Sequence, residues 1–304
     1  MIDRTVTVAV EADQCVGCEA CLRVCPSDTL AMVGDKAVVT GSQSLNCGHC
    51  EAVCPTAAVR VASLDNAVLA FETFRHGPEW MPPGSFPLGE LVRLMRSRRS
   101  CRNFRRKAVP RSLLRDLVRI GQTAPSGSNC QAWTFTVLPS REAVMRLTAA
   151  IGDYFLRLNR LAGNRFLRYA LKCLGRPELD FYYRNYAQAI GDGIEAYRRT
   201  GEDRLFHGAP ALILVGARAG AACPAEDALL ATQNMLLGAH AMGLGTCLIG
   251  FAVAAFQRED ALKKMLRIPR DETVYAAIAL GFADEAYVRL PGRKAAPVRF
   301  WEGD

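Results

Sequence analysis

No Gly-x-Gly-x-x-Gly run follows a strand candidate in this chain of 304 residues, which excludes a dedicated dinucleotide-binding domain of that kind. The opening stretch, Met1 to Val10, has Asp3, Arg4 and only a short apolar run, so it lacks the form of a secretory signal. Formal charge is missing from Ala228 to Gln257. A bilayer span needs about 20 mainly apolar residues, but this stretch holds Thr232, Gln233, Asn234, His240 and four glycines. It reads as a buried helix followed by a glycine turn, and no membrane partner is expected. Acid is missing from Arg93 to Lys107, where eight basic residues stand without one Asp or Glu. Such a run is a solvated face, a nucleic-acid patch or an anion site. Aromatic residues that would stack on bases are scarce within it, so no nucleic-acid partner is expected.

Cysteine is abundant: there are twelve, seven of them in a stretch that is written twice. The first copy has Cys15, Cys18, Cys21, Cys25 and Pro26; a shift of 29 positions carries the last four onto Cys47, Cys50, Cys54 and Pro55, and Cys15 onto Ser44. A zinc site takes four ligands in two pairs, and a disulfide framework suits short secreted chains. A repeated triplet plus one, each closed by proline, is instead the run that holds iron–sulfur clusters in bacterial ferredoxins, where the fourth thiolate crosses to the other cluster. The first cluster then takes Cys15, Cys18, Cys21 and Cys54, and the second takes Cys25, Cys47 and Cys50. With Ser44 in place of a cysteine, the second is expected to be serine-ligated, open at one iron, or a [3Fe-4S] form. Cys101, Cys130, Cys173, Cys223 and Cys247 lack ligand spacing and read as small buried hydrophobes. Free thiols beside thiolate-ligated clusters point to the cytoplasm.

Half of the residues are hydrophobic and 22% are charged, an ordinary globular composition whose length suits one large domain and one small one. Of the net charge of +8, residues 1–64 contribute −3, from four basic and seven acidic side chains. These residues form the two-cluster unit, too small for an apolar core of its own, so the clusters act as its core. Thr5 to Val10 alternates as a strand, with Lys36 to Thr40 and Val59 to Ala62 as its counterparts. Residues 65–87 read as a linker rich in structure breakers. A helix begins at Leu88 with Leu91, Val92 and Met95 on one face. Pro110 opens a second, with Leu113, Leu114, Leu117 and Val118 facing the core and Gly121 as its stop. Strands are expected over 133–138, 211–217 and 274–280, helices over 141–205 and 224–242, giving an α+β chain with a mixed α/β second domain.

The segments after residue 87 resemble the nitroreductase family of FMN enzymes. The likeness covers residues 88–304 and rests on Arg98-Arg99-Ser100-Cys101-Arg102, Ala124-Pro125-Ser126-Gly127-Ser128-Asn129 with Trp133, Gly243-Leu244-Gly245-Thr246-Cys247-Leu248-Ile249-Gly250, and Arg293. The resemblance implies that Arg98, Arg99, Ser100 and Arg102 hold the FMN phosphate and the polar edge of the flavin, with Arg293 joining at the phosphate. Forked arginine hydrogen bonding suits a dianionic phosphate. It also implies a homodimer with FMN at the interface. Pro125, Ser126, Gly127 and Asn129 match the segment given by the partner subunit, and the backbone of Leu248, Ile249 and Gly250 faces the ring. Gln131-Ala132-Trp133 departs from the family's Gln-Pro-Trp, which loosens that turn.

One-electron carriers fused to a two-electron cofactor suggest a wire feeding a flavin. The expected function is an oxidoreductase that takes electrons from reduced ferredoxin or NAD(P)H through the clusters to FMN and reduces a nitroaromatic-like small molecule. The alternative is a relay that passes electrons to a protein partner; a regulatory iron–sulfur sensor binding nucleic acid through residues 93–107 is a third reading. A closed apolar pocket above FMN favours the enzyme, a solvent-exposed flavin edge beside a flat surface the relay. No side chain stands out as a catalytic acid or base; Tyr182, Tyr183 and His207 lie near the helical insert.

Overall fold

The computed structural model describes residues 3–303. In chain order its elements are β1 (Val8–Val10), α1 (Ala20–Arg23), β2 (Leu30–Val33), β3 (Lys36–Val39), α2 (His49–Ala52), β4 (Val59–Val61), α3 (Leu88–Ser97), α4 (Arg111–Gly121) and β5 (Trp133–Leu138). There follow α5 (Arg141–Gly163), α6 (Arg165–Cys173), α7 (Glu178–Tyr182), α8 (Gln188–Thr200), β6 (Ala211–Arg218), α9 (Pro224–Ala241), β7 (Gly245–Leu248), α10 (Gly250–Phe256), α11 (Asp260–Met265) and β8 (Glu272–Gly281). Among the described residues no helix is long and apolar enough to cross a membrane.

The cysteine-rich unit is two antiparallel pairs. β1 pairs with β4, Val8 opposite Val61, as the alternation implies. Lys36 to Val39 does not join β1, contrary to the expectation; it pairs with Leu30–Val33. The cause is local: Gly34 sits at φ +61° between strands that are joined by only two residues, Gly34 and Asp35. A tight turn of that length closes a hairpin before any distant strand competes. Its small core consists of Leu30, Ala37, Val59 and Val61 together with the thiols of Cys21 and Cys50.

In the larger part, β5, β6, β8 and β7 form one antiparallel sheet in that order. Ala211 to Ala217 reads as an unbroken apolar run because both faces of β6 are covered. Leu212 and Leu214 face the layer of α5, α10 and α11; Ala211, Ile213 and Val215 face α4 and α9. The alternation slips once, at a bulge between Val215 and Gly216. A Cβ at Gly216 would lie 2.5 Å from the Thr273 carbonyl oxygen, so glycine is required there. Side chains as fully buried as Ile213 or Leu212 each contribute roughly 1.5–3 kcal/mol.

Caps and faces follow the sequence. Ser140 accepts from the Ala143 N–H at the start of α5, and Pro224 opens α9 with Glu226 and Asp227 in its first turn. On α4, Leu114 and Leu117 are buried as expected. On α3 the apolar face is largely open: Leu88 is 70% exposed, Val92 43% and Met95 44%. The helical period was correct, but nothing in the single chain covers that stripe. Two of the five isolated cysteines also depart from expectation, since Cys173 and Cys223 are exposed.

The segment 65–87 is pinned at one place, Glu72 and Thr73. Asp116 on α4, fully buried, accepts from the backbone N–H groups of Glu72 and Thr73 and from the Thr73 hydroxyl at 2.7–3.0 Å. Glu72 in turn receives two bonds from Arg115 and one from Arg119.

Candidate functional site

The basic run divides by environment. Arg93 pairs with Glu90, Arg105 with Asp284, and the Lys107 ammonium lies 4.4 Å from the Phe282 ring centre. Arg98, Arg99, Arg102 and Arg293 take no part in the ion pairs among the described residues. Burial lowers the pKa of Arg98, and the charges of Arg293 and Arg99 lower it further, so like charges are crowded together. The chain folds this way because α3 ends at Arg98 and the next residues run along β7: Ser100 bridges to Thr246, and the Cys101 N–H donates to the Thr246 carbonyl at 2.9 Å. The result is a cavity of about 440 Å³ with Arg98, Arg99, His240, Thr246, Glu285 and Tyr287 on its walls. The half-buried guanidinium groups of Arg98 and Arg99 fit a dianionic phosphate, while the Glu285 carboxylate on the same cavity is bonded to Cys101 and Asn103.

The thiols beside it stay neutral. Burial, helped by the hydrogen bond to Glu285, pushes Cys101 up to about 12. Burial also raises Cys247, against the pull of Arg102, the Ser100 hydroxyl and Arg98. His207 is lowered by burial and by Arg102, and His240 by burial and by Arg98. Leu248 and Phe251 are part-exposed beyond the cavity, whereas the Ile249 side chain is in the core. A second, mainly apolar cavity of about 310 Å³ lies between α5 and α8; Ile151, Phe155, Ile194, Tyr197 and Phe251 are among its walls.

The seven motif cysteines separate into the expected two sets. Cys15, Cys18, Cys21 and Cys54 surround one small cavity; Cys25, Cys47, Cys50 and Ser44 surround another. Backbone N–H groups point at sulfur: Ala37 to Cys15 at 3.5 Å, Thr29 to Cys25 at 3.4 Å and Ala58 to Cys54 at 3.2 Å. The Ala37 and Gly17 amides lower the Cys15 pKa. Gly17 sits at φ +70°, and a Cβ there would lie 2.5 Å from the Asp35 oxygen, so the ligand loop needs glycine. Among the described residues no three His, Cys, Asp or Glu side chains converge on a point for one metal ion. Thiols set around a cavity fit a cluster with one ligand per iron, and not a single zinc ion. Ser44 is 5% exposed, and its hydroxyl oxygen accepts the Asn46 N–H at 3.0 Å.

Pro125, Ser126, Gly127 and Asn129 stand elsewhere. Asp227, in the first turn of α9, accepts from the Gly127 N–H at 2.9 Å and holds the loop there. From that loop the Asn129 amide donates to the Asn46 carbonyl at 2.8 Å and to that of Leu45 at 3.4 Å. Leu45 and Asn46 are walls of the second cysteine cavity. A loop of the larger part is therefore bonded to the strand of chain that leads into Cys47.

The model of the Nitroreductase family matches residues 95–282. The chain belongs to the nitroreductase family. A second match, over residues 7–62, is to the 4Fe-4S dicluster domain. The protein is thus a nitroreductase-family oxidoreductase with an N-terminal ferredoxin domain, as the motifs imply. It is 30% identical over 208 residues to a 4-nitrobenzoate reductase of Nocardioides sp., covering 63% of this chain and 79% of that one. The N-terminal part is 40% identical over 57 residues to an uncharacterized ferredoxin of Methanocaldococcus jannaschii, 18% of this chain and 92% of the ferredoxin. In fold, the chain is similar to a nitroreductase with bound FMN from Bacteroides fragilis: TM-score 0.51, 20% identity, 70% of this chain and 99% of that one.

Among the expected nitroreductase residues, the single chain brings together Arg98, Arg99 and Arg293, with Ser100 and Arg102 beside Cys247. It leaves Pro125 to Asn129 apart from them. His240, Glu285 and the segment Tyr287 to Leu290 also line the arginine cavity. Sequence reasoning passed over these residues; the only signal was His240, placed next to a glycine turn.

Proposed function

We propose that FMN binds in the arginine cavity, with Arg98, Arg99 and Arg293 at its phosphate, Ser100 and Arg102 toward the polar edge of the ring, and the Leu248–Gly250 backbone along it. Bound there, FMN would supply the exchange between one- and two-electron chemistry. The chain's own groups position and insulate it. Arginine charge near the ring favours the reduced, anionic form, and the neutral thiols of Cys101 and Cys247 add no competing charge. Pro125, Ser126, Gly127 and Asn129 complete the site from a second copy, in a homodimer.

The clusters are read as the supply line from an external low-potential donor, reduced ferredoxin rather than NAD(P)H. Cys15, Cys18, Cys21 and Cys54 hold the first cluster, Cys25, Cys47 and Cys50 the second. Ser44 is proposed as the fourth ligand of the second, since its oxygen is buried in the same cavity and fixed by Asn46. The observation that carries the wire reading is the bond from Asn129 to Asn46, which ties the second-cluster loop to a loop of the flavin domain. The apolar cavity that Phe251 borders favours an enzyme acting on a small aromatic electrophile, such as a nitroaromatic, over a relay. The cytoplasm, where thiols stay reduced, is the proposed location.

The test is iron and FMN content after anaerobic purification, followed by bleaching of the flavin with reduced ferredoxin or with NAD(P)H. About eight irons and one FMN per chain, with faster bleaching by ferredoxin, is the expected result. Clusters without flavin, even after FMN is added back, would overturn the reading.

A further inference from the structure

The docked corner and the arginine cavity lie at opposite ends of one chain's flavin domain. Asp227, which holds the Gly127 loop, and His240, which lines the arginine cavity, are thirteen residues apart on the continuous helix α9. That separation is about 20 Å along the axis. The sheet gives an independent measure. The loop leads into Trp133, which pairs with Ala217, itself opposite Thr273, on the β5 edge. The cavity contains Gly245, opposite Gly281, on the β7 edge. Thr273 and Gly281 are eight residues apart on β8, about 27 Å, and the two edge strands are separated by roughly 14 Å more across the sheet. Tunnelling falls off exponentially with distance. Even at Leu248, opposite Ile278 and along the ring, the separation from Thr273 is five residues, about 17 Å on β8, besides the roughly 14 Å across the sheet, so a second cluster fixed beside Asn129 is a poor donor to a flavin held by its own chain's arginines.

The exposed apolar surface has a matching arrangement. Leu88, Val92 and Met95 are exposed on α3, which leads directly into Arg98. Leu229 and Leu230 are exposed on the first half of α9, just past Asp227. One apolar patch thus marks the arginine corner and another the loop corner. A two-fold pair in which the α3 patch of each copy meets the α9 patch of the other satisfies the reciprocity of an isologous interface and buries both. That pairing brings the arginine cavity of one copy to the docked cluster of the other.

We propose that each chain's two-cluster unit delivers its electrons to the flavin held by the arginines of a second copy, never to the flavin of its own chain. Two reduced [4Fe-4S]+ centres each give one electron and return to the 2+ state. FMN takes the two electrons with one proton from water to become the anionic dihydroflavin, and a low-potential one-electron donor, of the ferredoxin class, resets the clusters. The inference rests on the FMN homodimer proposed above, and Asn129 acts in it as a positioning residue.

The test uses heterodimers purified through two different tags. One chain carries Cys47→Ala with Cys50→Ala, and the other carries Arg98→Ala with Arg102→Ala. Reduced ferredoxin is mixed in anaerobically, and loss of the flavin's visible absorbance is followed. In this pair the only flavin and the only intact second cluster are on different chains. The expected result is bleaching at the wild-type rate, with half of the wild-type flavin content. A reciprocal pair joins a wild-type chain to one bearing all four substitutions, so the same parts lie on one chain. It should bleach as slowly as the homodimer lacking the second cluster. Fast bleaching in the reciprocal pair and slow bleaching in the first overturns the inference and leaves the FMN reading standing. Wild-type protein that is monomeric or takes up no FMN overturns both. Iron content of the cysteine variant, expected to keep the first cluster, guards against misfolding.

Discussion

Asp116 accepts hydrogen bonds from both the backbone N–H and the hydroxyl of Thr73, each at 2.7 Å, while fully buried on α4. Burial raises its pKa, but the amides of Glu72 and Thr73, the Thr73 hydroxyl and Arg119 outweigh this and bring it from 3.8 to about 2. Asp116→Ala leaves those donors unpaired and should destabilise the chain by roughly 3–5 kcal/mol, read from denaturant midpoints. A carboxylate with a depressed folded pKa stabilises above its unfolded pKa, and that contribution is lost as pH falls through the folded value. Stability should therefore drop between about pH 4 and pH 2. Asp116→Asn should flatten that slope.

Arg98 faces the charges of Arg99 and Arg293 and takes part in none of the ion pairs among the described residues. Arg98→Ala should weaken FMN binding by about 1.5–3 kcal/mol, roughly ten- to a hundredfold in Kd, by loss of a charge-assisted bond. Riboflavin, which lacks the phosphate, should bind the wild type and the variant alike. Fluorescence titration of the apoprotein with both ligands measures the difference; equal losses for the two would place the phosphate elsewhere.

Ser44 offers a count. With serine as a ligand the wild type should hold about eight irons, Ser44→Cys about eight with a shifted second potential, and Ser44→Ala about seven. Iron analysis and redox titration decide this, and eight irons in Ser44→Ala would remove Ser44 from the ligand set.

The open stripe on α3 predicts self-association. Val92→Glu together with Met95→Glu should convert a dimer to a monomer in light scattering and lower FMN retention with it. A dimer that persists through both changes would take α3 out of the interface.

The five isolated cysteines separate by environment. Cys173 and Cys223 are exposed, whereas Cys101 is buried with its thiol pushed up to about 12. In the cluster-loaded protein the first two should react with a disulfide reagent at pH 8, and Cys101 should not. Mass mapping of the labelled peptides reads this directly.

The cysteine pattern was legible because a repeated triplet plus one is a spacing that few other chemistries share, and the fold sets the seven thiols around two cavities. β6 was legible because a strand covered on both faces must be apolar throughout, and Ala211 to Ala217 is. The arginine run stood out because no acid interrupts it, and Arg98, Arg99 and Arg102 of it stay out of the ion pairs among the described residues. Other features left no such trace. β7 is four residues with a glycine at its start, too short for a period to emerge. The face of α3 was correct in phase, but an amphipathic pattern does not say which surface covers it. Asp116 is one acid on a helix, and only tertiary structure reveals the four donors around it. Asn129 carried a role by resemblance, yet its observed acceptors, Leu45 and Asn46, lie over eighty positions earlier in the chain.

The clamp on Glu72 and Thr73 changes what the fusion accomplishes. A loose tether would raise the local concentration of an electron carrier and leave each encounter to chance. A carrier clamped at residues 72–73 and bonded at Asn46 does not search for its docking place; its orientation is settled when the chain folds. Its acidic surface, net −3 over residues 1–64, is then free of any duty toward the flavin domain. Recognition of the incoming donor can shape that surface alone. A change in the length of the segment between the two halves would accordingly act as a displacement, felt at Asn129, rather than as slack.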